Sequence, residues 1–169
     1  NIPRNLTGVL ERPLYERALF HIADLLPTGT DRVLLLNDSE LEGSLVTNLG
    51  HIFGGEPIVK IGNVSIELKV AASWESWQQA TLKAKSDGYD AILFDSRYLL
   101  FDSKGVYVEP ESGVVRWMAE NAELPLFNFY EDSIGPGLSS GGWVLSGYGI
   151  GVVAAGIVLD ILERNKLPE

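Results

Sequence analysis

The chain has 169 residues, and its 46% hydrophobic and 21% charged content is typical of a globular domain rather than of a disordered segment. It carries 13 Lys and Arg against 23 Asp and Glu, so its net charge of −10 disfavours nucleic acids and anionic membrane surfaces as partners. The absence of cysteine excludes disulfide scaffolds, thiol nucleophiles and zinc ribbons.

The first part of the chain predicts a helix, a buried strand and a second helix. Apolar residues at helical spacing indicate a helix over residues 13–26, with a proline in its opening turn. The uninterrupted apolar run at residues 33–36 predicts a strand that is buried on both faces, as in a parallel sheet. The Asn-Asp-Ser sequence at 37–39 consists of helix-capping residue types, and a helix is predicted over residues 40–53.

Strands and helices continue to alternate after this point. Residues 57–72 contain strand-like alternation, and Ser73 is the predicted cap of a helix over residues 74–86. The apolar run at residues 91–94 predicts another buried strand. The remaining predicted elements are a hairpin over residues 98–108, a helix over 110–122, strands over 126–129 and 143–145, and a last helix over 149–164.

The last helix has to be compared with a membrane span, because it is rich in Gly, Val, Ile and Ala. Its uncharged core covers only residues 149–159, which is shorter than the roughly 20 apolar residues that cross a bilayer. We therefore predict a helix that is buried in the core of the protein.

Strands that alternate with helices predict an α/β fold, with three αβα layers and a mostly parallel, doubly wound sheet. In such sheets ligands bind beyond the carboxyl ends of the strands. Ser73, Asp95 and Tyr98 stand at these ends. The candidate ligand-binding residues that we select there are Asn37, Asp38, Ser39, Trp74, Ser96, Arg97, Tyr130, Glu131 and Asp132.

Two groups among these candidates have alternative interpretations. Arg97 and the acidic pair 131–132 either hold the carboxylate and ammonium groups of a zwitterionic solute, or form a solvated ion pair that contributes little. Trp74 either stacks on a flat solute or belongs to the core, and for Trp77 on the same helix face the core is favoured. The sequence leaves the choices for Arg97 and Trp74 open.

Two glycine-containing motifs point to enzymatic chemistry, and for each a simpler interpretation is favoured. Residues 137–141 have the spacing of a nucleophile elbow around Ser139, which needs a later histidine, but His21 and His51 both lie upstream. A glycine-rich turn is favoured there. Residues 149–154 match a short dinucleotide-binding pattern, but no later strand supplies a ribose-binding acid, and close helix packing is favoured.

Asp38 and Asp95 follow two strands and resemble the carboxylates of a magnesium-dependent phosphoacceptor pocket. Such a pocket needs a lysine after a later strand, and residues 126–133 contain none, so helix capping or a polar cleft is favoured. His21 and His51 have no partner at metal-ligand spacing. We therefore expect no bound metal, no cofactor and no catalytic residue.

Several segments, taken in their order and spacing, resemble one protein family. They are residues 5–9 followed by the first predicted helix, the strand and polar turn at 32–40, the strands at 90–94 and 124–127, and the region 146–168. Together they are similar to the second lobe of ABC-transporter solute-binding proteins, in the group associated with tryptophan and tyrosine uptake. The resemblance covers nearly the whole chain.

This resemblance implies a periplasmic-binding-protein-like α/β lobe over residues 1–169, with an inserted hairpin near residues 98–109. It implies binding of a small solute, such as an amino acid or a related compound, outside the cytoplasm and without catalysis, with an ABC transporter permease as partner. In the family, the positions of Asn37, Ser39 and Ser96 face the cleft. The alternatives are the sensor input domain of a membrane-bound signalling receptor and, from a different class, a receiver-like phosphoacceptor or an α/β hydrolase.

The resemblance also implies that the first lobe, which the last helix covers in the family, is missing. The apolar face with Val152, Val153, Ile157 and Leu159 is then partly exposed, and patches of this kind usually bind a partner. We therefore predict that the chain forms a homodimer through its last helix.

Overall fold

The computed structural model describes residues 7–9, 14–26, 29, 31–38, 53–164 and 166. The predicted helix over 40–53 lies outside these residues except for its last position, and so do Ser39 and His51. The described elements are α1 (Tyr15–Leu25), β1 (Arg32–Asn37), β2 (Ile58–Ile61), β3 (Val64–Val70), α2 (Trp74–Lys83), β4 (Ala91–Phe94), α3 (Arg116–Asn121), β5 (Leu126–Tyr130), β6 (Gly141–Leu145) and α4 (Gly147–Arg164). A π-helical segment, Pro110–Val115, leads into α3, and a 3-10 turn, Glu131–Ser133, follows β5.

The six strands form one sheet in the order β2-β3-β1-β4-β5-β6. β1 pairs in parallel with β3 and β4, β5 pairs in parallel with β4 and β6, and β2 alone is antiparallel, to β3. The predicted α/β fold with a mostly parallel sheet is therefore confirmed. β1 is flanked by strands on both sides and is buried from Val33 onwards, which explains its uninterrupted apolar sequence.

The two faces of the sheet carry separate hydrophobic cores, because successive side chains of a strand point to opposite faces. Val33 and Leu35 pack with Tyr15 and other α1 residues on one face. Leu34 and Leu36 pack on the other face with residues of α2 and α3, Trp77 among them. Full burial of one such aliphatic side chain contributes about 1.5–3 kcal/mol. Helices thus lie on both faces, as the three-layer prediction requires.

Local chemistry at Ser73 and at the predicted hairpin agrees with the sequence. Ser73 Oγ accepts a hydrogen bond from Ser76 N at 3.2 Å, and Ser76 Oγ accepts one from Ser73 N at 3.1 Å, so the two serines cap α2 reciprocally. In the 98–108 region a single antiparallel bridge joins Phe101 to Tyr107, and the Asp102 carboxylate accepts backbone hydrogen bonds within the loop. The hairpin is therefore a short turn with one bridge.

The prediction that α4 is a buried core helix is wrong. None of its residues is buried, and Tyr148 and Leu162 are 83% and 73% exposed. The reason is its position: α4 follows β6, the last strand in the sheet order. Of the four residues of the predicted exposed apolar face, Val152, Val153 and Leu159 are each at least half exposed, whereas Ile157 is half-buried. None of the helices in the described ranges, α4 included, combines the length and the apolarity that crossing a membrane requires.

The dinucleotide-like pattern at 149–154 lies inside α4 and forms no turn between a strand and a helix. A Cβ atom added to Gly151 would meet no neighbour within 4 Å, so close packing does not explain this glycine either. Contacts within the described residues therefore give no reason for a glycine at this position of the helix.

Candidate functional site

The carboxyl ends of β1, β4 and β5 meet at one edge of the sheet, and polar side chains follow each strand. Asn37 and Asp38 end β1, Ser96 and Arg97 follow β4, and Tyr130 ends β5. Asp38 N donates a hydrogen bond to Ser96 O at 3.1 Å, which connects the ends of β1 and β4. The first four of these residues are buried, although all are polar. We call this region the carboxyl edge.

Four buried side-chain atoms of the carboxyl edge have no hydrogen-bond partner among the described residues: Asn37 Nδ2, Asp38 Oδ1, Ser96 Oγ and Arg97 Nε. The other side-chain oxygens of Asn37 and Asp38 each accept a hydrogen bond. Asn37 Oδ1 accepts from Asp38 N at 3.0 Å, and Asp38 Oδ2 accepts from Leu99 N at 2.7 Å. A buried polar atom without a partner costs about 1–3 kcal/mol. Unused donors and acceptors therefore follow two adjacent strands, β1 and β4, at this edge.

Arg97 is completely buried and is surrounded by groups of its own chain. Its Nη2 lies 3.2 Å from Glu111 Oε1 and 3.3 Å from Asp132 Oδ1, and it donates to Ser133 Oγ at 2.5 Å. The ring centres of Tyr98 and Tyr130 lie 4.9 and 5.0 Å from the guanidinium carbon. The proposed solvated ion pair is wrong, because the guanidinium is not exposed. The other interpretation, in which Arg97 and the acidic pair hold the two charged groups of a solute, also changes. Asp132 pairs with Arg97 itself, and Glu131 is exposed.

Asp95 is held by two tyrosines. Tyr15 OH donates to Asp95 Oδ2, and Tyr130 OH donates to Asp95 Oδ1 at 3.0 Å. Burial raises the pKa of Asp95 above its usual range, although the tyrosine hydrogen bonds and the charge of Arg97 act in the opposite direction. Burial, together with the neighbouring Asp95, also raises the pKa of the Tyr130 hydroxyl.

The geometry at Asp95 does not support the phosphoacceptor alternative. Both of its oxygens accept hydrogen bonds and the side chain is buried, so neither oxygen is placed to attack an incoming phosphoryl donor. In the part of the chain that the structure describes, no group of three or more His, Asp or Glu side chains is arranged to hold a metal ion.

Trp74 begins α2, four residues after β3 ends beside the carboxyl end of β1. It is half-buried and packs edge-on against Trp117 of α3, with 5.2 Å between ring centres and 74° between planes. Its neighbour Trp77 is fully buried and donates from Nε1 to Met118 Sδ at 3.1 Å, which confirms the core interpretation for that residue. The contact with Trp117 supports the core interpretation for Trp74, and stacking on a flat solute stays a prediction.

Ser139 is part of a buried hydrogen-bond network and has the role of a turn residue. Its Oγ donates to Ser133 O at 2.5 Å and accepts from Asn128 Nδ2, which also donates to Ser133 O at 3.2 Å. Asn128 Oδ1 accepts from Tyr130 N at 2.6 Å. Ser139 lies before β6 and not after a strand, so the glycine-rich turn interpretation is confirmed and a nucleophile elbow is absent at this position.

The position of Asn128 in this network also explains why residue 142 is a glycine. A Cβ atom at Gly142 would lie 1.9 Å from Asn128 O, which is far inside the contact distance, so only glycine fits beside that carbonyl. β6 has one residue more than β5 between the pairs Asn128–Gly142 and Tyr130–Leu145. This irregularity ends the regular pairing where the carboxyl edge begins.

Two residues that contact the carboxyl edge gave no sign of this in the sequence, Tyr15 and Glu111. Tyr15 fits the apolar face of α1, and its spacing gives no sign that its hydroxyl reaches Asp95. Glu111 follows Pro110 at the start of a helix and pairs with Arg97 only because that helix begins beside the strand ends. Asp95 and Tyr98, by contrast, stand at a strand end in the sequence, which was a signal for this region, although neither was selected as a candidate.

A cleft of about 300 Å³ lies on the α1 face of the sheet, beside the C-terminal half of α1 and the first residues of β5 and β6. His21 stacks on Trp143 there, with 4.3 Å between ring centres and 4° between planes. The lining residues are Ala18, His21, Ile22, Asp24, Leu25, Phe127, Gly142 and Trp143. This cleft is away from the carboxyl edge and contains none of the four unpaired atoms.

The carboxyl edge is acidic overall. Glu111 and Asp132 pair with the Arg97 guanidinium, and Asp95 interacts electrostatically with both Arg97 and Asp38, so four carboxyl groups stand against one guanidinium. The edge can donate hydrogen bonds to a polar molecule and accept hydrogen bonds from it. Its excess of carboxyl groups disfavours a ligand that adds negative charge. No protein-family model, no curated protein and no solved structure matches this chain, so its function has to be argued from the edge itself.

Proposed function

We propose that this chain binds a small polar solute at the carboxyl edge without changing it chemically. The observation that supports this proposal is the set of four unpaired buried atoms, which come from two adjacent parallel strands at the edge where α/β sheets bind ligands. A solute that pairs with these atoms recovers the cost of burying them.

The unpaired atoms indicate the class of solute. Asp38 Oδ1 accepts a hydrogen bond, Asn37 Nδ2 and Arg97 Nε donate, and Ser96 Oγ does both. Because acidic groups outnumber the single guanidinium, a solute with an amino group beside a hydrogen-bond acceptor fits, and one whose only charge is negative does not. Amino acids and related amino compounds belong to this class.

The biological setting is the part of the proposal that rests on the family resemblance. In that setting the chain is a periplasmic-binding-protein-like lobe outside the cytoplasm, and it delivers its solute to an ABC transporter permease. A sensor input domain of a signalling receptor is the alternative with the same binding step. The engaged oxygens of Asp95 and the paired hydroxyl of Ser139 favour binding over the phosphoacceptor and hydrolase alternatives.

A thermal-shift screen tests the proposal on the chain itself. The probes are the standard amino acids and ethanolamine as amino compounds, glycerol as a neutral polyol, and acetate and citrate as anions. A solute at 100 times its Kd adds about 2.7 kcal/mol, which corresponds to a rise in Tm of about 5–10 °C for a domain of this size. We expect a rise with at least one amino compound and none with acetate or citrate.

A pair of variants makes the test specific to the carboxyl edge. Asp38→Asn keeps an oxygen for Leu99 N but replaces the unpaired acceptor by a donor, so the solute-induced shift should be lost. Asp90→Asn makes the same change at the opposite end of β4, where the carboxylate accepts from the backbone of residues 31 and 32, and should keep the shift. An absence of any shift, a shift with anions alone, or an equal shift in both variants contradicts the proposal.

A further inference from the structure

α4 presents an apolar stripe that no part of the described chain covers. Along the helix the stripe has alternate spacings of four and three residues: Tyr148, Val152, Ala155, Leu159 and Leu162. All five are exposed. The opposite side, with Ile150, Ala154, Ile157 and Ile161, is half-buried. The helix therefore has a side that is partly covered by its own domain and a second apolar side that is not.

The spacing of the stripe identifies the kind of partner. Apolar residues at alternate intervals of four and three form the seam between two helices that pack lengthwise. Gly149, Gly151 and Gly156 flank this seam, and small flanking residues allow two helix backbones to approach closely. The partner that fits is another apolar helix with small residues beside its seam.

A membrane surface fits this helix less well. Helices that lie in a membrane surface carry Lys and Arg on a polar face. In α4 the single basic residue is Arg164, which is paired with Asp160 at 2.7 Å. The chain as a whole is acidic and is repelled by anionic lipids.

We propose that α4 is a homodimer interface, in which the stripe packs antiparallel against the same stripe of a second copy. The segment from Gly147 to Leu159 carries no charge, so two copies of an acidic chain meet there without direct repulsion. Tyr148, Val152, Leu159 and Leu162 are 83%, 55%, 50% and 73% exposed, so the stripe offers apolar surface along about four turns of the helix. A specific interface buries about 1,000 Å² in total, and this is the area that two such helices have to supply when they pack lengthwise.

Light scattering over a range of protein concentrations tests this interface. We expect the mass of the unmodified chain to rise from that of one copy to that of two. Leu159→Lys places a charge in the centre of the stripe and should keep the chain monomeric, and Val152→Lys serves as a second variant of the same kind. Both lower the net negative charge, so a general change in repulsion would favour association instead.

Leu82→Lys is the matched control, because Leu82 lies on α2 and is 53% exposed, against 50% for Leu159. It should dimerise like the unmodified chain, and circular dichroism should show the same helix content in all variants. A chain that stays monomeric at the highest soluble concentration overturns the proposal. So does a dimer that survives both substitutions in the stripe, or one that the Leu82 substitution disrupts equally.

Discussion

Two buried polar clusters lie near the same edge of the sheet, and they differ in whether their side chains are fully hydrogen-bonded. The open cluster consists of Asn37, Asp38, Ser96 and Arg97, and each member has a side-chain atom without a hydrogen-bond partner among the described residues. The closed cluster consists of Asn128, Ser133 and Ser139, whose side chains are hydrogen-bonded to one another or to neighbouring groups. The two asparagines are both 0% exposed, and Ser96 and Ser139 are both 2% exposed.

This comparison shows that burial alone does not distinguish a polar residue that stabilises the fold from one that is available to bind a ligand. In the closed cluster the chain satisfies its own polar groups, so these groups stabilise the connection from β5 to β6. In the open cluster an asparagine and a serine, Asn37 and Ser96, are buried to the same extent. Each nevertheless has a side-chain atom that makes no hydrogen bond to a described residue. Polar groups that are buried at a cost are candidates for ligand binding.

The largest difference between the clusters should be seen in the two asparagines. Asn128→Ala removes the bonds to Ser133 O, Ser139 Oγ and Tyr130 N, and should lower the free energy of unfolding by roughly 3 kcal/mol or more. Asn37→Ala removes one bond, from Asp38 N, which also donates to Ser96 O, and should cost about 1 kcal/mol or less. Urea unfolding of both variants measures this, and equal losses would remove the distinction between the clusters.

The two serines should show a smaller contrast of the same kind. Ser139→Ala leaves the Asn128 amide and the Ser133 carbonyl each with one bond fewer, and should cost about 1–3 kcal/mol. Ser96→Ala deletes a hydroxyl that has no partner in the part of the chain that the structure describes, so the stability of the free protein should change by less than about 0.5 kcal/mol. Thermal unfolding in the absence of solute provides the measurement. A large loss for Ser96→Ala would mean that its hydroxyl is already satisfied.

The smallest expected effect is the pH dependence of the free energy of unfolding that comes from Asp95. Because burial raises the native pKa of Asp95 above the ordinary value of about 3.9, the native protein binds this proton at a higher pH than the unfolded chain does. The ionised carboxylate thus costs stability near neutral pH, and the cost disappears as the pH falls through the raised native pKa towards about 3.9.

Asp95→Asn provides the reference for this effect, since its amide does not titrate and still offers one acceptor and one donor to the two tyrosines. The stability of the unmodified chain relative to this variant should increase when the pH is lowered from 7 towards 4, as measured by urea unfolding at each pH. A decrease over that range would mean that the hydrogen bonds from Tyr15 and Tyr130 and the charge of Arg97 outweigh burial.

The layers of the fold and part of the candidate site follow from the sequence because they depend on local patterns. The apolar run at 33–36 and the strand at 91–94 predict two buried parallel strands, and the rule for strand ends then selects Asn37, Asp38, Ser96 and Arg97. The partners of Arg97 were not predictable in the same way, because Glu111 reaches it across the fold from the start of another helix. The exposure of α4 depends on which strand is last in the sheet, and strand order is not encoded in any one segment.

Asp38 also has a mechanical consequence. Its Oδ2 accepts a hydrogen bond from the backbone of Leu99, at the start of the 98–108 loop, while no described residue pairs with its Oδ1. The two oxygens belong to one rigid planar group, so a solute that displaces one of them displaces the other. Leu99 then has to follow or lose its hydrogen bond. The side chain is thus a rigid link between the strand end and the loop, and a contact on one side is transmitted to the other as movement.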